Sequence, residues 1–209
     1  PFGVGLGWGP WGETLERWRR ESGDPDLDLG SLVSTFGFDG SFALPAMHPG
    51  LWPPFEPKVL QEDDNFIIHR DERGITKRDR RDGHCMPEWL DYPVKTPEDW
   101  QRLKEERLRP DDPTRIAQDW DAFRATLAET GEAVQVGWFP YGVFGTPRDL
   151  MGAEELLIAF HTEPAMVRDM MESLTTLWLR LWERVAAQVQ IDHIHIWEDM
   201  AGRQGSLIS

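Results

Sequence analysis

The chain has 209 residues, of which 40% are hydrophobic, and 22 basic residues against 37 acidic ones give a formal net charge of −15. This length and apolar content suffice for one large domain, while the acidic balance disfavours binding to nucleic acid or to an anionic membrane, because both rely on basic surfaces. Cys85 is the only cysteine, which excludes an intramolecular disulfide, and with no signal-like or membrane-spanning apolar run the sequence predicts a cytoplasmic protein.

The first quarter of the chain predicts a strand, two short helices and a long loop. Residues 2–8 form an apolar, glycine-rich run that is typical of a strand. Apolar spacing predicts a helix over 13–21 and a second short helix over 27–36. Residues 43–57 contain five prolines and predict a loop.

An antiparallel module follows the proline-rich loop. Residues 58–61, 66–70 and 75–80 predict strands, separated by polar breaks at 62–64 and 71–74. Such a module is either a solvated hairpin that decorates the fold or a lid over a cleft, since long insertions after barrel strands often cover sites.

Two capped helices come next. The Thr-Pro-Glu-Asp sequence at 96–99 combines an N-cap, a first-turn proline and an approximate capping box, and it predicts a helix to about Arg107. Residues 119–130 predict another amphipathic helix, ended by Gly131.

Strands and helices alternate in the last third of the chain. The predicted elements are a strand at 133–139, a loop or short helix at 142–152, a short helix at 153–160, a long helix from 164 to about 190, and a strand at 191–197. Alternation of this kind implies parallel strands with crossover helices.

The fold class predicted from these elements is α/β: a partial (β/α)8 TIM barrel, its N-terminal portion, with a small antiparallel β-hairpin insertion around 57–81. About three core strands are visible, and a complete barrel typically needs roughly 250 residues. Because the chain opens at Pro1 without Met and ends at Ser209, we expect residues 1–209 to be an incomplete domain whose C-terminal barrel part is missing.

The strand at 191–197 ends in two adjacent carboxylates, Glu198 and Asp199. Reactive groups in (β/α)8 enzymes sit where strands end, so this pair is the candidate acid/base pair. In the structural alternative, Asp199 caps the turn and Glu198 pairs with an arginine. If Glu198 is catalytic, replacing it by glutamine should reduce turnover with little change in melting temperature.

The loop at 142–152 follows the preceding strand at the same edge. Its glycines allow backbone to approach a ligand, and Arg148 suits a carboxylate or phosphate; alternatively, Arg148 and Asp149 form a local ion pair. Two tryptophans in the first loop are candidate cavity walls. The candidate substrate-binding residues are therefore Arg148, Trp8, Trp11 and Phe144.

Histidines give little indication of a metal site. His193 and His195 share one face of the last strand, but no third ligand is evident, which favours a packed pair over zinc ligation. His84 and Cys85 are adjacent, a spacing awkward for one zinc ion. No metal ligand is predicted within these residues.

Four segments resemble the uroporphyrinogen decarboxylase superfamily, which includes that decarboxylase and zinc-dependent corrinoid and coenzyme M methyltransferases. They are FGFDG (36–40), MPEWLDYPVKTPEDWQRLK (86–104), GVFGTPRDLMGAEELLIAF (142–160) and HIWEDMAGRQGSLIS (195–209). The resemblance implies a (β/α)8 barrel with a deep cleft at the carboxyl ends of its strands, of which this chain covers the N-terminal part.

The resemblance also bears on activity. True decarboxylases carry an arginine-rich first loop, whereas the corresponding residues 5–18 have no arginine before Arg17, and 144–152 replaces the loop that supplies the decarboxylase tyrosine. We therefore expect an enzyme on a branch distinct from the haem-pathway decarboxylase, with methyl transfer involving a corrinoid as the leading activity. Porphyrinogen decarboxylation and a noncatalytic binding module are the alternatives.

The cofactors and partners that the resemblance implies lie mostly beyond this chain. The methyltransferases bind zinc through a His-x-Cys pair and a later cysteine in their C-terminal half, so zinc and a corrinoid partner are expected for a longer protein and no cofactor within residues 1–209. We expect these residues alone to be inactive. The expected partner is a small-molecule or corrinoid ligand, and the sequence leaves undecided whether the protein forms a homodimer.

Overall fold

The computed structural model describes residues 12–28, 30–31, 37, 42–83, 85–138 and 141–208. The strand predicted at 2–8, and with it Trp8 and Trp11, lies outside these residues. The described helices are α1 Gly12–Ser22, α2 Pro97–Arg107, α3 Trp120–Thr130, α4 Gly145–Met151, α5 Ala153–Thr162 and α6 Pro164–Ala186. The described strands are β1 Lys58–Glu62, β2 Phe66–Arg70, β3 Thr76–Arg80, β4 Glu88–Asp91, β5 Gln135–Val136, β6 His193–Ile194, β7 Ala201–Gly202 and β8 Gly205–Ser206.

The predicted antiparallel module is present and larger than expected. Strands β1 to β4 form one antiparallel sheet in chain order, so the module continues past residue 81 to Asp91. The turn between β2 and β3 covers the predicted break at 71–74. Gly74 there has φ +83°, and a Cβ on it would lie 2.8 Å from the Phe55 ring, so both conformation and space require glycine.

Three chain segments pair in parallel, as the alternation of strands and helices predicts. Strand β5 pairs with β6, and Ala43 forms a parallel bridge to Val134 on the other side of β5. The strands are shorter than predicted, because Gly137 adopts φ +75° immediately after β5. The described residues thus form a mixed α/β fold, and they do not close into a barrel.

Helix ends follow the sequence closely. The Thr96 hydroxyl accepts a hydrogen bond from the Asp99 amide at 3.2 Å, and the Asp99 carboxylate accepts one from the Thr96 amide at 3.2 Å. This reciprocal capping box confirms the predicted start of α2. At α3, Asp119 caps the start and Gly131 ends the helix with φ +67°.

The core lies between α6 and the helices that pack on it, α2, α4 and α5. One face of α6 is apolar and largely buried; its buried members include Val167, Met170, Leu174, Leu177, Trp178, Leu181 and Val185. The helix ends at Ala186, four residues before the predicted end. Within the described part of the chain, no helix is long and apolar enough to cross a membrane.

Candidate functional site

The strand-end carboxylate Glu198 contacts the loop that follows the neighbouring parallel strand. Its two oxygens accept hydrogen bonds from the Phe144 amide at 3.0 Å and the Gly145 amide at 2.9 Å. These amides open α4, where main-chain N–H groups lack partners within the helix. Glu198 therefore fixes the start of α4 to the end of the strand segment.

Asp199 binds Arg148 on the same side of α4. The guanidinium donates to the Asp199 carboxylate at 2.7 Å and to its carbonyl oxygen at 3.3 Å. The sequence offered the alternative that Asp199 caps the turn and Glu198 pairs with an arginine. In the structure the two roles are exchanged: Glu198 accepts from backbone amides, and Asp199 pairs with the arginine. We call Glu198, Asp199, Arg148 and the two α4 amides the strand-end cluster.

Glycines in the loop before α4 allow this close contact. A Cβ on Gly142 would lie 1.9 Å from the Trp197 carbonyl oxygen and 2.6 Å from the Glu198 carboxyl carbon. A Cβ on Gly137 would lie 2.0 Å from the His195 carbonyl oxygen. In the structure these two glycines allow the backbone of the neighbouring strand segment to pack closely against the loop.

The predicted substrate-binding residues do not lie together at one site in the described structure. Arg148 reaches the strand-end cluster, with 23% of its side chain exposed. Phe144 is 1% exposed, belongs to the core and stacks near Phe160 with 6.4 Å between ring centroids, so its side chain supports the cluster from inside the core. Trp8 and Trp11 lie outside the described residues.

The aromatic side chains of the last strand segment share one face, as predicted. Ring centroids of His193 and His195 are 6.1 Å apart, and those of His195 and Trp197 are 6.4 Å apart. His193 also hydrogen-bonds the Gln135 side chain at 2.7 Å. Among the described residues, no three His, Cys, Asp or Glu side chains form a metal-binding group.

On its other side, α4 contacts the turn of the antiparallel module. Asp149 forms an ion pair with Arg73, and Arg148 pairs with Asp199, so the alternative of a local Arg148–Asp149 pair is not what the structure shows. Arg73 also contacts the Asp71 carboxylate at 3.3 Å, and the Lys77 ammonium lies 2.5 Å from that carboxylate. We call Asp71, Arg73, Lys77 and Asp149 the hairpin-turn cluster.

The two aspartates of the hairpin-turn cluster have opposite pKa shifts. Burial alone would raise the pKa of Asp71, but hydrogen bonds from Lys77 and the Ile75 amide, with the charge of Arg73, lower it below its ordinary value. Burial raises the pKa of Asp149, and the nearby charge of Arg73 only partly offsets that effect. Asp149 is therefore the more easily protonated of the two.

A cavity of about 650 Å³ lies beside the hairpin-turn cluster. The β2–β3 turn forms one wall, the loop after Ala43 forms another, and residues of α4 and α6, with Leu108 and Tyr141, contribute the rest. The antiparallel module thus lines one side of a partly open cavity. Two of the segments that line the cavity, residues 47–54 and the residues from Tyr141 to α4, come after parallel strand positions in the chain.

Arg115 is a structural residue that the sequence did not reveal. It is fully buried, and its guanidinium donates to the carbonyl oxygens of His48, Gly50, Arg107 and Arg109. Burial lowers its pKa to about 10, so it stays charged at neutral pH. Its partners are distant in sequence, so only the tertiary fold shows that it fixes the loop lining the cavity.

Comparisons of the chain with protein-family models, with curated proteins and with solved structures give no match.

Proposed function

We propose that the chain supplies the first strands of a (β/α)8 enzyme of the uroporphyrinogen decarboxylase superfamily and that this cytoplasmic enzyme transfers a methyl group involving a corrinoid. The family and the chemistry rest on the sequence resemblance. The geometry supports the location: loops after neighbouring parallel strands converge at one edge, where (β/α)8 enzymes place their reactive groups.

The observation that carries the proposal is the position of Glu198. Its carboxylate is held at a strand end by the Phe144 and Gly145 amides. Each oxygen uses one lone pair in these bonds and retains another for a substrate proton. A carboxylate fixed in this way suits the removal of a proton from an attacking group, with the exposed Asp199 beside it.

A methylated corrinoid, if bound at this edge, would supply the methyl group to the sulfur of a thiol and would keep the electron pair of the bond to that group. The thiol must first lose its proton, because the thiolate is the nucleophile. Glu198 and Asp199 are the groups of this chain that we assign to that proton transfer.

Porphyrinogen decarboxylation is the weaker candidate. Its substrate carries several carboxylates and needs free cationic partners. Arg148, the predicted anion-binding residue, is already paired with Asp199. In the hairpin-turn cluster, Arg73 and Lys77 are paired with Asp71 and Asp149, so their charges do not match a substrate with several carboxylates.

The test incubates the intact protein that contains these residues with methylcobalamin and 2-mercaptoethanesulfonate, with added zinc. We expect protein-dependent formation of the methylated thiol, detected by mass spectrometry, and a strong reduction in the Asp199→Asn variant. Asp82→Asn, on the antiparallel module, is the matched control. A parallel incubation with uroporphyrinogen follows porphyrin products.

Decarboxylated porphyrinogen products without thiol methylation would replace the proposal by the second candidate. If neither product forms and the protein does not bind methylcobalamin, the methyl-transfer proposal fails and a noncatalytic binding module becomes the better account.

A further inference from the structure

The cavity under the β2–β3 turn has the size of a small-molecule site. Its volume of about 650 Å³ lies within the range of roughly 300–1,000 Å³ in which such ligands bind. Its floor is apolar and buried, formed by Leu108, Leu150 and Leu174. Small-molecule sites are usually of this type, with a few placed polar groups that fix orientation.

A flat aromatic wall stands above this floor. The rings of His48 and Trp52 stack with 3.6 Å between centroids and an interplanar angle of 11°. The Trp52 indole donates to the Thr114 hydroxyl at 2.8 Å, which fixes its orientation. A planar apolar ligand matches such a wall better than a branched or strongly polar one.

The remaining walls are also held in place. Arg115 donates to the His48 and Gly50 carbonyl oxygens at 2.7 and 2.8 Å. Gly50 packs so closely on Tyr141 that a Cβ would lie 2.9 Å from its ring. The cavity is therefore largely preformed, which lowers the entropic cost of binding.

Hydrogen-bond donors are in excess at the polar end of the cavity. Asp71 is saturated, because its oxygens accept from the Arg73 and Ile75 amides, the Arg73 guanidinium and the Lys77 ammonium. Arg73 directs Nε and Nη2 to Asp71 and Nη1 to Asp149, leaving one N–H on each Nη atom. Lys77 has three N–H donors, and Asp71 is its one ion-pair partner among the described residues.

We propose that this cavity binds a flat, mainly apolar molecule with a single carboxylate, held by Arg73 and Lys77 with its apolar part against the His48–Trp52 wall. One carboxylate matches the spare donors. A second would meet Asp71, Asp149 and Glu72, which also line the cavity. An ammonium group in the same place would face Arg73 and Lys77. The site is distinct from the strand-end cluster and does not depend on the proposed methyl transfer.

The test uses three probes with one ring system and different head groups: 2-naphthoate, 2-naphthylmethanol and 2-naphthylmethylamine. Binding to the full chain is measured by isothermal titration calorimetry. A charge-assisted contact contributes about 1.5–3 kcal/mol, so we expect the carboxylate to bind about ten-fold or more tightly than the alcohol, and the amine weakest.

Three variants locate the site. Lys77→Met should weaken the binding of 2-naphthoate about ten-fold, because the ammonium group is lost. It should change the affinity for the alcohol by no more than about two-fold, because the apolar part of the side chain remains. Met47→Trp, which fills the cavity from its loop, should weaken all probes that bind. Lys95→Met is the control, since Lys95 is 64% exposed and pairs with Asp91. Circular dichroism establishes that each variant is folded.

Several results would overturn the proposal: no binding of 2-naphthoate by the folded chain, equal or tighter binding of the amine, or binding that Lys77→Met and Met47→Trp leave unchanged.

Discussion

Arg148 and Asp149 are neighbours in α4, yet they belong to two clusters of different character. Asp149 reaches Arg73 in the hairpin-turn cluster, where the side chain of Asp71 is only 8% exposed. Arg148 reaches Asp199 in the strand-end cluster, where the aspartate side chain is 55% exposed. Burial makes an ion pair costly to break, and exposure makes it nearly dispensable. The comparison indicates that the Arg73–Asp149 contact holds α4 in a mostly buried environment, while the Arg148–Asp199 pair leaves its aspartate accessible to solvent.

The largest effect should come from removing Asp71. The Asp71→Ala variant leaves Arg73 and Lys77 without their shared carboxylate in a mostly buried position, which should lower the free energy of unfolding by about 3–5 kcal/mol. Urea denaturation measures this. Asp71→Asn, which keeps an oxygen for the backbone amides, should lose less; equal losses would show that the charge is unimportant.

An intermediate effect is expected at Glu198. In Glu198→Gln, one amide N–H at the start of α4 would face an NH2 group in place of an acceptor, so we expect a loss of about 1–2 kcal/mol. This revises the sequence-based expectation of an almost unchanged melting temperature. Thermal denaturation checks it, and a wild-type melting temperature would contradict the contacts of Glu198 with Phe144 and Gly145.

The pH dependence of stability should differ in sign between Asp71 and Asp149. The pKa of Asp71 is lowered by folding, so its contribution is present above the ordinary carboxyl pKa and is lost as pH falls through the folded value. The pKa of Asp149 is raised, so its contribution is greatest below the ordinary value and declines as pH rises through the folded one.

Urea denaturation of wild type, Asp71→Asn and Asp149→Asn between about pH 3 and 7 tests this difference. The stability that wild type gains over Asp71→Asn should grow with pH, and the gain over Asp149→Asn should shrink. Slopes of the same sign would contradict the assigned environments.

The smallest effect should come from Asp199→Asn. Asp199 is 55% exposed, so the loss of its pair with Arg148 should change stability by less than about 1 kcal/mol, and added salt should reduce even that difference. A larger loss, measured by thermal denaturation at low and high salt, would show that the Arg148–Asp199 pair also stabilises the fold.

Local sequence patterns predicted much of the fold. The capping box at Thr96 and the breaks between β1, β2 and β3 depend on residues close in sequence, and the structure confirms them. Strand β4 was missed because Glu88–Asp91 is short and lacks alternating polarity. The strand at 133–139 was predicted too long because only the tertiary packing requires a positive φ at Gly137.

The site was predicted less completely than the fold. Position at a strand end made Glu198 and Asp199 candidates. In the structure Glu198 contacts the start of α4, and Asp199 contacts Arg148. The partners of Arg73 and Arg115 could not be predicted, because they lie on segments far apart in sequence. The sequence also left a local Arg148–Asp149 pair open as an alternative, because adjacency in the chain does not show that the two side chains contact different parts of the fold.

The most direct test of the unequal roles of the two clusters is a matched pair of variants, Arg73→Met and Arg148→Met, compared by urea denaturation in one buffer. Each variant removes one guanidinium from an ion pair that involves α4, the pair with Asp149 for Arg73 and the pair with Asp199 for Arg148, and each keeps an apolar side chain. We expect the free energy of unfolding to fall by at least about 2 kcal/mol more in Arg73→Met than in Arg148→Met. Equal losses, or a greater loss in Arg148→Met, would contradict it.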